Sequence, residues 1–270
     1  QWVLDQNNVG RYNHQKHLYD DNNYYFLTIR ENLPIAPSPV QIQFYNTTFP
    51  DLGSSSSIVN ICMYHEEDEI NFIQSGENWY GEVFDAVLNQ SFVFNFPNIV
   101  NDSNIYIRSG VASRSFTSSS FSFNSNGNAI MDIPLSSVTS GFATDYATVA
   151  SSSSQFTSNS DVIDIDVVFN RNSSSHKGWL DYIEICGYRY LVMNGSQMNI
   201  RKTMNVLEDQ MCSLIIDNLS SDHRVWNVTD PTNVKEHSIY LESGNKYSFE
   251  YDVFQGLSEE KFIAFDGTDY

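Results

Sequence analysis

The sequence predicts a mainly β protein, built as one or more jelly-roll-like antiparallel β-sandwiches with one or two short helices. Aromatic residues are abundant (18 Phe, 16 Tyr, 4 Trp), while long Leu-rich helical patterns are scarce. Short runs alternate between apolar and polar residues, as in Phe92, Phe94 and Phe96 or Ile163, Ile165 and Val167. Between the runs lie polar segments rich in Ser and Asn, which suit surface turns.

Taken in order, residues 1–90 read as an N-terminal β region. Tyr24 to Ile29 predicts a strand, Pro34, Pro37 and Pro39 an extended connector, and Ile58 to Tyr64 a second strand. Glu66 to Ile73 predicts a short helix near residues 66–75, because its acids crowd the end that the helix dipole favours and Gly76 is placed to stop it. Residues 91–195 read as a jelly-roll-like sandwich. Within it, Phe121–Phe123 and Ala129–Ile133 flank an Asn- and Gly-containing hairpin turn. Residues 196–270 continue the β pattern, with boundaries near 90 and 195 drawn softly.

The charge balance is acidic, 14 Lys and Arg against 33 Asp and Glu, a net −19. Such a surface repels phosphate backbones and anionic lipid, which argues against nucleic acid as a partner. No apolar run approaches the roughly 18 residues of a membrane span, so no direct membrane insertion is expected. The start Gln1-Trp2-Val3-Leu4 reads like the interior of a protein, and we expect a targeting segment upstream.

Cys62, Cys186 and Cys212 have no C-x-x-C spacing, and each sits in or beside an apolar run. Buried free thiols are expected. At most one bridge can form, and the sequence does not say which. Cys62 and His65 lie three apart on a strand and point to opposite faces, so they are badly aimed for a nucleophile–base dyad. His14 and His17 lack a clear third metal ligand. Asp164 and Asp166 share a strand face and are candidate oxygen ligands for calcium, the one cofactor considered, although a solvated outer face explains them equally. The sequons at Asn46, Asn89 and Asn227 are what an Asn- and Ser-rich composition produces. Trp79, Tyr80, Trp179 and Trp226 are candidates for a sugar-stacking platform, with core packing as the competing role.

Five blocks together resemble one family. These are His14 to Thr28; His65-Glu66-Glu67-Asp68 leading to Ser75 to Glu82; Trp179 to Ile185; Val225 to Pro231; and Phe262 to Phe265. They resemble, in order, the N-terminal part of PorU-type C-terminal-signal peptidases, the sortases of the type IX secretion system. The resemblance implies a gingipain-like cysteine peptidase that is secreted and attached to the cell surface of a Gram-negative outer membrane. That family removes the C-terminal sorting domain from secreted cargo. In it the peptidase domain follows the N-terminal β region, and this chain stops at Tyr270, about where that domain should begin. None of the three cysteines lies in a matching motif, so no catalytic residue carries over. The implied role is a non-catalytic region that docks the downstream peptidase domain, the cargo or the outer-membrane barrel partner. The alternative is a stand-alone carbohydrate-binding sandwich.

Asp181 lies inside the run from Gly178 to Ile185, where strict alternation places it with Trp179, Ile183 and Ile185. An acid among such neighbours needs a partner. A structural ion pair with Arg108, Arg114 or Arg189 is therefore expected.

Overall fold

A computed structural model describes residues 2–7, 10–15, 42–50, 52–74, 78–141 and 144–268. The strand expected at 24–29, the connector at 34–39 and His17 lie outside the described residues. The chain divides into two units. One comprises residues 4–13 and 58–190, the other residues 1–3, 14–57 and 191–270.

The first unit is a jelly roll. Its eight principal strands are β1 (Ile58–Glu66), β2 (Asn89–Asn95), β3 (Asn104–Arg114), β4 (Ser119–Ser125), β5 (Asn128–Leu135), β6 (Thr148–Thr157), β7 (Val162–Asn170) and β8 (Lys177–Tyr190). One sheet runs β6-β3-β8-β1 and the other β5-β4-β7-β2. The order 1-8-3-6 facing 2-7-4-5 is jelly-roll connectivity. Alternation explains the core. Phe92, Phe94, Phe96, Phe121, Phe123, Ile163, Ile165 and Val167 of one sheet meet Ile105, Ile107, Leu180, Ile183 and Ile185 of the other. Fully burying such side chains stabilises the fold by about 1.5–3 kcal/mol each.

Residues 4–13 belong to this unit. The Asp5 N–H donates to the Arg11 carbonyl (2.9 Å). Gly10 has φ +78°, and a Cβ there would lie 2.3 Å from the Tyr188 hydroxyl, so both conformation and space call for glycine.

The second unit is a smaller sandwich of β9 (Gln197–Val206), β10 (Gln210–Ile216), β11 (Arg224–Asn227), β12 (Lys235–His237), β13 (Tyr240–Ser243), β14 (Lys246–Val253) and β15 (Gly256–Phe265). Its sheets run β9-β15-β11-β12 and β13-β14-β10. Residues 43–44 pair with β12 and residues 52–56 with β10, both in parallel. Phe249 and Tyr251 from one sheet meet Phe262 from the other, with ring centroids 4.9 and 5.3 Å apart.

Three sequence expectations need correction. The division at residue 90 falls inside the jelly roll, because β1 pairs with β8 across a long span of sequence. The break expected near 195 falls at 190/191. The helix near 66–75 is not formed among the described residues. Strand β1 runs to Glu66, and Ile70 bridges to Tyr80, so backbone pairing replaces the helical turn. No described residue is helical.

Candidate functional site: the outer face of the jelly roll

The outer face of β3 and β8 is organised by a bulge. Leu180 pairs with Val111 and Tyr182 with Gly110, which leaves Asp181 as the extra residue. One inserted residue reverses which face the following side chains occupy. Leu180, Ile183 and Ile185 therefore all enter the core, while Trp179 packs on the opposite face with Tyr80 and Ala112. Gly110 makes room for the bulge: a Cβ there would lie 2.7 Å from the Tyr182 ring and 2.9 Å from Asp181 Oδ2.

The bulge also redirects the expected ion pair. Tyr182 and Glu184, not Asp181, take the arginine. Arg108 donates from Nε to the Tyr182 hydroxyl (2.9 Å) and from Nη1 to Asn13 Oδ1, and lies 3.6 Å from the buried Glu184 carboxylate. Arg114 donates to the Tyr146 carbonyl (2.7 Å) and lies over the Tyr146 ring. Arg189 sits on the same strand as Asp181. Asp181 thus makes no ion pair with any of the three. Burial, reinforced by nearby Asp68 and only partly offset by Arg108, raises its pKa to about 6.

A cleft of about 80 Å³ opens beside this network, lined in part by Arg11, Asn13, Tyr106, Arg108, Ser153 and Glu184. The Arg11 guanidinium lies 4.1 Å over the Tyr106 ring. Cys186 reaches the cleft as well, and here the sequence expectation of free thiols fails. Cys186 and Cys62 stand directly opposite on β8 and β1 and are joined in a disulfide. Cys212 is free and buried, with Sγ 3.2 Å from Ser54 Oγ.

The remaining candidates disperse. With Cys62 in the disulfide, His65 bonds Glu82 instead (2.5 Å). That bond raises the His65 pKa against its burial. For Glu82 burial pushes upward, but the His65 bond and its own backbone amide carry the net shift below the ordinary value. His14 packs against Trp2, with ring centroids 5.2 Å apart. Asp164 and Asp166 face outward from β7, and Asp166 accepts a hydrogen bond from Ser91. No group of three His, Cys, Asp or Glu side chains able to hold a metal occurs among the described residues, so the calcium candidates gain no third ligand.

The proposed stacking platform is also not assembled. Trp179 and Tyr80 are buried against Phe72. Trp226 packs edge-to-face on Phe265 at 4.7 Å, and Trp79 alone of the four is exposed, at 39%. The sequence reading missed the Arg11–Tyr106 stack, the Arg108–Glu184 pair and the His65–Glu82 pair. For the Arg108–Glu184 pair the local signal was the polar residues interleaved in β3 and β8.

No protein-family model matches the sequence, and no curated protein matches it. Solved structures do. One is dimeric latent PorU from Porphyromonas gingivalis, with TM-score 0.71 and 18% identity over 86% of this chain. Another is the carbohydrate-binding module CBM36 in complex with calcium and xylotriose, with TM-score 0.32 and 16% identity over 46% of this chain and 98% of that one. The chain spans 22% of the length of the PorU structure. At that identity the likeness establishes the architecture: this chain has the fold of a segment of PorU.

Proposed function

We propose that this chain is the non-catalytic N-terminal β region of a PorU-like sortase, carried on the cell surface of a Gram-negative bacterium. It would dock the peptidase domain, the secreted cargo or the outer-membrane barrel partner. The observation that carries the reading is the fold likeness over 86% of the chain, from one sandwich into the other. The ordered sequence blocks support it independently. So does the chemistry: Cys62 and Cys186 are consumed in a disulfide and Cys212 is buried, which leaves no exposed thiol nucleophile. The outer face instead offers fixed arginines and tyrosines, which suit recognition.

The test is deletion of residues 1–270 from the parent, with removal of the C-terminal signal from cargo followed in cells. Loss of processing is expected while the remaining protein is still exported. Normal processing by the truncated parent would overturn the proposal.

A further inference from the structure

Strand β6 pairs with β3 along its whole length, from Thr148 opposite Ser113 to Thr157 opposite Asn104. It stands last in its sheet, and no described strand pairs with its other side. An edge of this length normally carries charge, proline or a bulge that prevents another strand from adding to it. The sequence Thr-Val-Ala-Ser-Ser-Ser-Ser-Gln-Phe-Thr has none of these. The edge strand of the facing sheet, β5, has all three kinds of protection: a bulge between Ala129 and Met131, Asp132 and Pro134. The contrast marks β6 as an edge that, among the described residues, lacks protection of its own, although β5 of the facing sheet runs close to it.

The outer face beside it is built to receive charge. Ser153 lies directly opposite Arg108, and Gln155 lies opposite Tyr106, whose ring carries Arg11. Ser151 lies opposite Gly110. The outward positions of β6 next to the arginines are thus short or uncharged. A strand added to β6 would lie two strand spacings, about 9–10 Å, from β3. Across a serine, an arginine and a glutamate side chain together span that distance. Arg108 already has Glu184, but Arg11 bridges to no carboxylate among the described residues. On the inner face, Ala150 and Phe156 pack against the core, so the added strand would cover it with apolar side chains.

We propose that the open edge of β6 is a β-augmentation site for an extended peptide alternating acidic and apolar residues, whose carboxylates reach Arg11 and Arg108. A second copy of the chain fits less well, because its own β6 has no carboxylate to offer. The net charge of −19 opposes an acidic peptide, but charges farther than about 8 Å are screened at physiological ionic strength, so binding is decided locally by Arg11 and Arg108 against Asp5 and Glu184 at the cleft. The proposal stands whether or not the parent is a sortase.

The probe is a short labelled peptide alternating Glu and Val, compared by fluorescence anisotropy with the same peptide carrying Lys in place of Glu. The acidic peptide is expected to bind at least about tenfold tighter, and Arg11→Glu to remove about that factor. Successive N–H groups along a strand point to opposite sides. Of Ser152→Pro and Ser153→Pro, the one that removes an outward N–H should therefore melt normally and fail to bind. Hydrogen exchange gives the same reading without mutation: the acidic peptide should slow exchange at alternate amides of β6. Equal or absent binding of the two peptides, or unchanged exchange along β6, overturns the proposal. So does dimerisation of the protein alone that a folded proline variant abolishes, which would give the edge to a second copy.

Discussion

The two sandwiches bury ionisable groups in opposite senses. In the jelly roll, Asp181 is the extra residue of a bulge. It makes no ion pair among the described residues, and burial raises its pKa to about 6. In the second sandwich, His237 is fully enclosed by Tyr45, Phe249 and Phe262. It donates from Nδ1 to the Glu250 carbonyl (2.7 Å), and burial lowers its pKa to about 4. A carboxyl pushed up favours its unit in acid. An imidazole pushed down favours its unit near neutrality. Two units of one chain should therefore respond to pH with opposite signs between about pH 4 and 6.

The largest expected effect separates the units by a covalent bond that only one of them has. Replacing both Cys62 and Cys186 by Ser should destabilise the jelly roll by about 3–4 kcal/mol, because the bridge closes a long loop. Hydrogen exchange resolved by segment should show the loss in residues 58–190 and leave β9 to β15 unchanged. Equal loss in both would end the treatment of the units as separate.

Next comes His237. Its folded pKa lies below the ordinary value of 6.5, so the stability it contributes is fully present above pH 6.5 and is lost as pH falls toward 4. The loss is at most about 3 kcal/mol. His237→Phe should flatten the acid branch of the second unit's melting curve. An acid branch of unchanged slope would refute the assignment.

The smallest effect has the most informative sign. The pKa of Asp181 is raised, so its contribution is present below about pH 4 and is lost as pH rises through 6. At pH 7 the carboxylate is charged, half-buried and without an ion pair among the described residues. Asp181→Asn should then stabilise the jelly roll by about 1 kcal/mol and reduce its pH dependence. The ion pair expected from sequence would have given destabilisation instead, so a thermal melt of this variant at pH 7 decides between a bulged and a paired Asp181.

The same residue shows where the sequence was legible. Strand β7 reads correctly because its alternation is unbroken: Ile163, Ile165 and Val167 are in the core, with Asp164 and Asp166 outside. The hairpin from Phe121 to Ile133 reads correctly because the Asn126-Gly127 turn is local. Strand β8 misleads from Trp179 onward, since a bulge leaves no periodic mark and moves every later side chain to the other face. The disulfide was hidden for a different reason. Cys62 faces Cys186 only through the register of two strands far apart in sequence. The acid-rich segment after β1 mimics a helix start, and its departure from that expectation rests on pairing with Tyr80, a tertiary contact. Strand β6 was not legible: its Ser151–Ser154 run reads as a surface turn, and only pairing with β3 makes it a strand. Its meaning as an edge required knowing that the strand ends a sheet.

The division of the chain at 57/58 and 190/191 has a consequence for how the protein is made. Ile58 and Tyr190 face each other across β1 and β8, and the Leu191 N–H donates to the Ser57 carbonyl at 2.7 Å. Apart from residues 4–13, the jelly roll is therefore an insert whose entry and exit are neighbours. Its strands from β1 to β8 all precede β10 in the chain, so they can close on one another before β10 is made. The second sandwich must hold its early strand, residues 52–56, unpaired until β10 is synthesised. Chain order thus favours closure of the inserted unit before its host.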